Sequence, residues 1–264
     1  MWITDSTVVA DTLKEAAHAV KEDTGWIMHH VLDARELETP FGMIHLPSFH
    51  LFGFALSITK HVVFMWLAAI ILIFTFIKVS KSYKKSLVPK GITNFVEVLV
   101  LFVRDEIAKP TIGKGFEKFL PYLLTVFFFI LTCNFLGLIP YGSTATGNIA
   151  VTATLATISF IVIQAGGIMK NGFFGYFKGL LPHGLPGWLI PIMFVVELLG
   201  LFTKPFALAI RLFANMTAGH IVILALLGLI FILKTVVVIP VSIAFALFIY
   251  LLEILVSLIQ AYIF

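Results

Sequence analysis

The chain has 264 residues, of which 60% are hydrophobic and only 12% charged, with a mean hydropathy of +1.06. An ordinary soluble domain is about 25% charged, so the composition excludes a soluble globular protein and indicates an all-α polytopic membrane protein. The net charge of +4 is segregated: residues 1–50 hold eight of the fourteen acids against three bases, and residues 78–118 hold nine of the eighteen bases.

In chain order, residues 5–24 read as a polar, helix-prone tail, without the basic start and early apolar run of a signal peptide. A loop around Pro40–Pro47 leads to a first span over about 56–77. Lys78, Lys81, Lys84 and Lys85 follow at once, and the positive-inside rule puts that end in the cytoplasm. Residues 1–55 are then an acidic extracytoplasmic segment and residues 56–264 the transmembrane domain. Because the basic cluster borders a span, no nucleic acid is expected as a partner. His45, His50 and His61 lack the i, i+4 spacing of a helical metal pair and read as interfacial; no metal or cofactor is expected.

Residues 92–110 alternate apolar and charged positions at helical spacing, which suits a helix lying at the cytoplasmic interface. A second span covers about 119–139 and carries the single cysteine, Cys133, expected to be an inert small hydrophobe. The uncharged turn YGSTATGN leads to a third span, about 149–169, with Lys170 and Lys178 marking the cytoplasmic side again. The polar run from Thr144 to Ser159 suits helix–helix hydrogen bonding as well as a water path. Residues 171–187, rich in Gly and Pro, read as a loop.

From Leu189 to Leu233 no loop signal occurs. As one helix this stretch would run ~68 Å at ~1.5 Å per residue, against a hydrocarbon core of ~30 Å. It must be steeply tilted or bent, with Pro205 as a site for a kink. Lys234–Pro240 reads as a turn, and residues 241–264 as a last long helix. The count is five to six hydrophobic helices, the last two long, strongly tilted and joined as a hairpin.

That hairpin carries the chemistry. Within Leu189–Leu233 the ionisable residues are Glu197, Lys204, Arg211 and His220. A guanidinium keeps its proton in essentially any protein environment, and an arginine at the centre of a membrane helix costs at least ~2.5–3.5 kcal/mol on insertion scales. Glu197, Lys204 and Arg211 are seven residues apart, about 700° of helix, and so share a face with Asn215 four residues on. His220, about 900° beyond Arg211, points to the opposite side. In the last helix Glu253, Ser257 and Gln260 share one face. Antiparallel helices bring together positions equidistant from their turn. The midpoint of His220 and Glu253 is 236.5 and that of Arg211 and Gln260 is 235.5, both inside Lys234–Pro240. A hairpin centred there sets His220 level with Glu253, and Arg211 level with Gln260.

RLFANMTAGH (211–220), preceded by FVVELLGLFTKPFALAI and followed by LLEILVSLIQAYIF (251–264), resembles subunit a of the rotary ATP synthases; CNFLGLIPYG (133–142) is similar to that family's third helix and its exit. The resemblance covers about 60–264. It implies a non-catalytic stator subunit in the inner membrane of a bacterium, N-terminus outside, in lipid and beside a rotor ring of c subunits and the peripheral stalk b subunits. It also implies roles. Arg211 faces the c-ring, with Asn215 and Gln260 as polar neighbours. His220 and Glu253 line a proton half-channel to the outside, and Glu197 lies near the route to the cytoplasm. Relatives usually continue the last helix past the position of Phe264. The alternative reading is a proton-coupled secondary transporter, for which intramembrane Arg, Glu and His are also suited. Its inverted repeats are not visible between the two halves, and no G-x-x-x-x-G-K-[ST] nucleotide loop occurs.

Overall fold

The computed structural model describes residues 36–39, 42–45, 48–51, 54–85, 88, 90–139, 142–180, 186, 188–233 and 238–264. The polar tail 5–24 lies outside them. Among the described residues five helices are long and apolar enough to cross a membrane: α1 (Lys60–Lys85), α4 (Leu120–Leu138), α5 (Ile149–Asn171), α7 (Ile190–Leu233) and α8 (Val238–Ile263). The all-α reading therefore holds for the membrane body.

Ahead of it the structure adds two antiparallel hairpins, β1 (Glu36–Thr39) with β2 (Gly42–His45) and β3 (Ser48–Leu51) with β4 (Phe54–Ser57). Gly42–His45, within the expected loop, is strand, while Pro40 and Pro47 themselves lie outside the described residues; the first span starts at Lys60, not near residue 56.

The helix ends follow local chemistry. Lys84 and Lys85 sit in the last turn of α1, where cations complement the exposed carbonyls. Pro121 sits in the first turn of α4, where its missing N–H costs no helical bond. Asn148 caps α5 by accepting from the Ala150 N–H at 2.9 Å. Gly172, at φ +72°, closes α5 in a backbone region that other residues rarely adopt. The interfacial segment is α2 (Ile92–Leu101), a π-helical turn over Phe102–Ala108 and α3 (Lys109–Ile112). The expected loop 171–187 contains a seven-residue helix, α6 (Phe173–Gly179). Pro240 lies in the first turn of α8, inside the helix, while residues 234–237 of the expected turn lie outside the described residues.

Among the described residues a main core joins these pieces: Val79 of α1, Val96 of α2, Val103 of the π turn, Phe127, Phe128, Ile130 and Leu131 of α4, Leu212 of α7 and Ala261 of α8; a second, smaller cluster holds Ala68, Cys133, Leu136 and Ala145. α7 packs most extensively on α8 and then on α5, and α8 packs on α4 as well. In α7 the inward positions Ala209, Leu212 and Met216 are at most 4% exposed. Their spacing sets a buried stripe, and Arg211 stands on the opposite, exposed surface.

Candidate functional site

The buried stripe of α7 continues to Gly219 and His220, where it meets α8. His220 Nδ1 lies 3.3 Å from Glu253 Oε1, with Glu253 buried and the His220 side chain 23% exposed. The pair that the midpoint argument set level is in contact. Gly219 makes this possible: a methyl group there would lie 2.7 Å from Glu253 Oε1 and 2.9 Å from its carboxyl carbon. Glu253, Ser257 and Gln260 are all buried on one face of α8, as the spacing requires. The Ser257 hydroxyl donates to the Glu253 carbonyl at 2.8 Å. Glu253 Oε2 and Thr217 Oγ1 are buried without a protein partner among the described residues. In a membrane interior, ordered water is the available partner for such atoms.

Arg211 is different. It is exposed on the outer surface of α7 and has no hydrogen bond or ion pair among the described residues. No such contact joins it to Gln260 or to Asn215, which is half-buried one turn on. Around it runs an exposed line of Thr203, Ala207, Ala214, Ala218 and Ala225 at helical spacing. Small side chains let a second helix approach closely. The described residues offer the guanidinium no anion.

Glu197 occupies a third environment. It lines a cavity of about 500 Å³ with Lys204, Ser159, Gln164, Tyr176 and Phe264. α7 stays continuous through Pro205, which leaves the Leu201 carbonyl without its helical donor; both residues line the same cavity. Lys204, exposed on α7, lines the cavity too. The polar run of α5 divides its labour. The Tyr122 and Ser159 hydroxyls are 2.8 Å apart and join α4 to α5. Thr154 and Thr157 instead bond back to carbonyls of their own helix.

Three features were not read from sequence. His61, in the first turn of α1, is buried by protein: its Nδ1 lies 3.0 Å from the Thr144 carbonyl and 2.9 Å from Ser143 Oγ. The Thr146 hydroxyl donates to Asn134 Oδ1 at 2.6 Å. The Tyr250 hydroxyl donates to the Leu138 carbonyl at 2.9 Å and clips α8 to the end of α4. Asn134 and the polar run from Thr144 carry the sequence signal for the second, as side chains suited to helix–helix hydrogen bonding or a water path; a tyrosine within an apolar run is the signal that could have marked the third.

A family model described as ATP synthase A chain matches residues 62–264. The "ATP synthase subunit a" of Chloroherpeton thalassium is 56% identical over 245 residues, 90% of this chain and 72% of that protein. The "ATP synthase subunit a 2" of Chlorobaculum tepidum is 54% identical over 258 residues, 95% of this chain and 72% of that protein. In Myxococcus xanthus the "ATP synthase subunit a" is 55% identical over 211 residues, 79% of this chain and 69% of that protein. Matched along nearly its whole membrane body, and with five helices able to span a bilayer, the chain belongs to the ATP synthase subunit a family as a multi-pass bacterial membrane protein.

Proposed function

We propose that this chain conducts protons through two offset half-channels to and from carboxylates on the ring of c subunits, as a non-catalytic stator subunit. The observation that carries the reading is the division of α7: an exposed Arg211, without a partner among the described residues, on one face, and on the other a His220 paired with the buried Glu253. A proton from the outside reaches the ring carboxylate past Glu253 and His220, and the neutral carboxyl then travels through lipid. When it returns opposite Arg211, the permanent cation favours its ionised form by Coulomb attraction in a low-dielectric setting. The proton leaves toward the cytoplasm through the cavity lined by Glu197 and Lys204. Arg211 also keeps the two routes apart, because guanidinium does not give up its proton to carry another. Asn215 and Gln260 flank this cation as polar neighbours.

Cross-linking tests the ring contact. Ala207→Cys and Ala214→Cys, on the exposed line, are expected to form disulfides with a cysteine placed beside the ring carboxylate. Ile73→Cys, exposed on α1, is expected to form none. Cross-linking at Ile73→Cys without any at Ala207→Cys or Ala214→Cys would exclude the assignment of this face.

In this reading residues 1–55 lie outside and residues 56–264 form the proton-channel domain, set in lipid and held by the peripheral stalk b subunits. The lysines closing α1 support that orientation. A membrane-impermeant thiol reagent should therefore label Lys84→Cys from the cytoplasmic face only. Labelling from the outer face of sealed vesicles reverses the topology.

A further inference from the structure

The C-terminal end of α1 carries a feature that proton conduction leaves unused. Phe74, Ile77, Lys78, Lys81, Ser82 and Lys85 line a concavity of about 440 Å³ on that helix. Their positions recur at helical spacing, so all six share one face. Apolar side chains occupy the end of this face toward the middle of the span, and cations the end at its last turns.

The rest of the chain packs elsewhere on α1. Ala68 and Val79 are buried, Leu72 lies against the main core, and the Phe76 ring meets Phe128 edge-on at 5.1 Å. At ~100° per residue, Phe74, Lys78, Lys81 and Lys85 all point ~100° or more away from Val79. Phe74 is accordingly 74% exposed and Ile77 48%.

The charge on this face is not neutralised from within. Lys78, Lys81 and Lys85 have no hydrogen bond or ion pair among the described residues. α1 packs chiefly on α4, α2 and the turn Ala145–Gly147. Neither α4 nor that turn carries a carboxylate. The one carboxylate of α2, Glu97, is hydrogen-bonded to Tyr83, which is four residues on from Val79 and on its side of α1. Asp105 of the π turn is paired with Arg104.

An occupant must therefore be anionic at one end and apolar at the other, with its long direction along the helix. Lys78 to Lys85 covers ~10 Å of helix at ~1.5 Å per residue, and lysine stems reach toward the interface while the ammonium groups stay hydrated. A neighbouring protein helix fits less well. Close helix–helix contact in a bilayer favours small side chains, as at the alanines of α7, whereas Phe74 and Ile77 are bulky and the concavity has no second wall. Flexible acyl chains conform to such a surface.

We propose that this face of α1 seats one anionic phospholipid. Its phosphate lies among Lys78, Lys81 and Lys85, the Ser82 hydroxyl donates to a headgroup oxygen, and its acyl chains run along Ile77 and Phe74. The topology proposed above puts the seat in the cytoplasmic leaflet; the seat itself does not depend on that topology. A basic side chain at the membrane surface raises affinity for anionic lipid about fivefold, so each of the three lysines contributes separately.

The test uses the whole ATP synthase in phosphatidylcholine vesicles containing a little phosphatidylglycerol with a photoactivatable group on one acyl chain. After illumination the labelled peptides of the chain are mapped. Label is expected on α1 around Phe74 and Ile77, displaced by unlabelled phosphatidylglycerol and not by added phosphatidylcholine. Lys81→Ser should lower it about fivefold. The exchange Lys81→Ser with Ser80→Lys keeps the charge at the end of α1, and with it the orientation signal, but turns one ammonium ~100° round the helix. It should lower the label as much. Parental labelling in the exchange variant would mean general surface attraction and overturns the seat. Equal labelling from phosphatidylcholine bearing the same group would mean ordinary surrounding lipid and overturns it too. So does an unlabelled α1 whose Phe74→Cys variant forms a disulfide with another subunit, since a protein then covers the face. ATP synthesis is not the readout, so the seat and the proton-conducting reading fail independently.

Discussion

Replacing Arg211 with alanine is expected to abolish ATP synthesis driven by a proton gradient and to leave the subunit inserted and assembled. The side chain is exposed on α7 with no hydrogen bond or ion pair among the described residues, so its removal breaks none of those contacts. Removing a charge from membrane depth lowers the insertion cost. The barrier between the two half-channels should fail with it. Without a fixed cation opposite the ring, a protonated carboxyl can shuttle across the interface, so passive proton leak should persist or rise. Arg211→Lys should fail too, because an ammonium in a dry site can lose its proton and a guanidinium cannot. The measurement is ATP synthesis and passive proton permeability in the same vesicles. Normal synthesis in Arg211→Ala would sink the proton-conducting assignment. A solute transporter, by contrast, would lose solute binding with ATP-linked pumping unaffected.

The second large effect is expected at the buried pair. Glu253→Ala should slow proton flux by about 10²-fold, at the low end of what a positioned acid–base group supplies, with the complex still assembled. The double exchange His220→Glu with Glu253→His keeps one acid and one imidazole across the same 3.3 Å contact, and should retain more activity than either single change. Gly219→Ala probes the geometry without touching either group. Its methyl would meet the far end of the Glu253 side chain, so the carboxylate moves and the helix does not. Synthesis should fall several-fold in an assembled complex. A double exchange no better than the worse single mutant, or a fully active Gly219→Ala enzyme, would show that the contact plays no part in conduction.

The helical body and the His220–Glu253 contact were legible because both follow from one-dimensional rules. Apolar length sets the spans, and equal distance from the turn sets the level of paired residues in a hairpin. The opposed directions of Arg211 and His220 follow from their nine-residue separation in the same way. What stayed hidden depends on packing between elements distant in sequence. Nothing near His61 announces that Ser143 and Thr144, more than eighty residues on, will enclose it. Gly219 reads as an ordinary glycine until α8 is laid against it. The strands β1 to β4 have four residues each, too few for an alternating pattern to stand out. In α6, Gly175 and Gly179 mask a seven-residue helix as loop.

The alanines beside Arg211 have a mechanical consequence. Helices that interlock by knobs and holes resist sliding, because each step must lift side chains out of their sockets. A wall built at Ala207, Ala214, Ala218 and Ala225 has no knobs to lift. On the proposed reading, a ring turning past this face would meet the same shallow track at every subunit, and the torsional energy profile would stay flat except where one carboxylate passes one guanidinium. The surface would then act as a bearing with a single electrostatic detent, with friction and register set by different residues on the same helix.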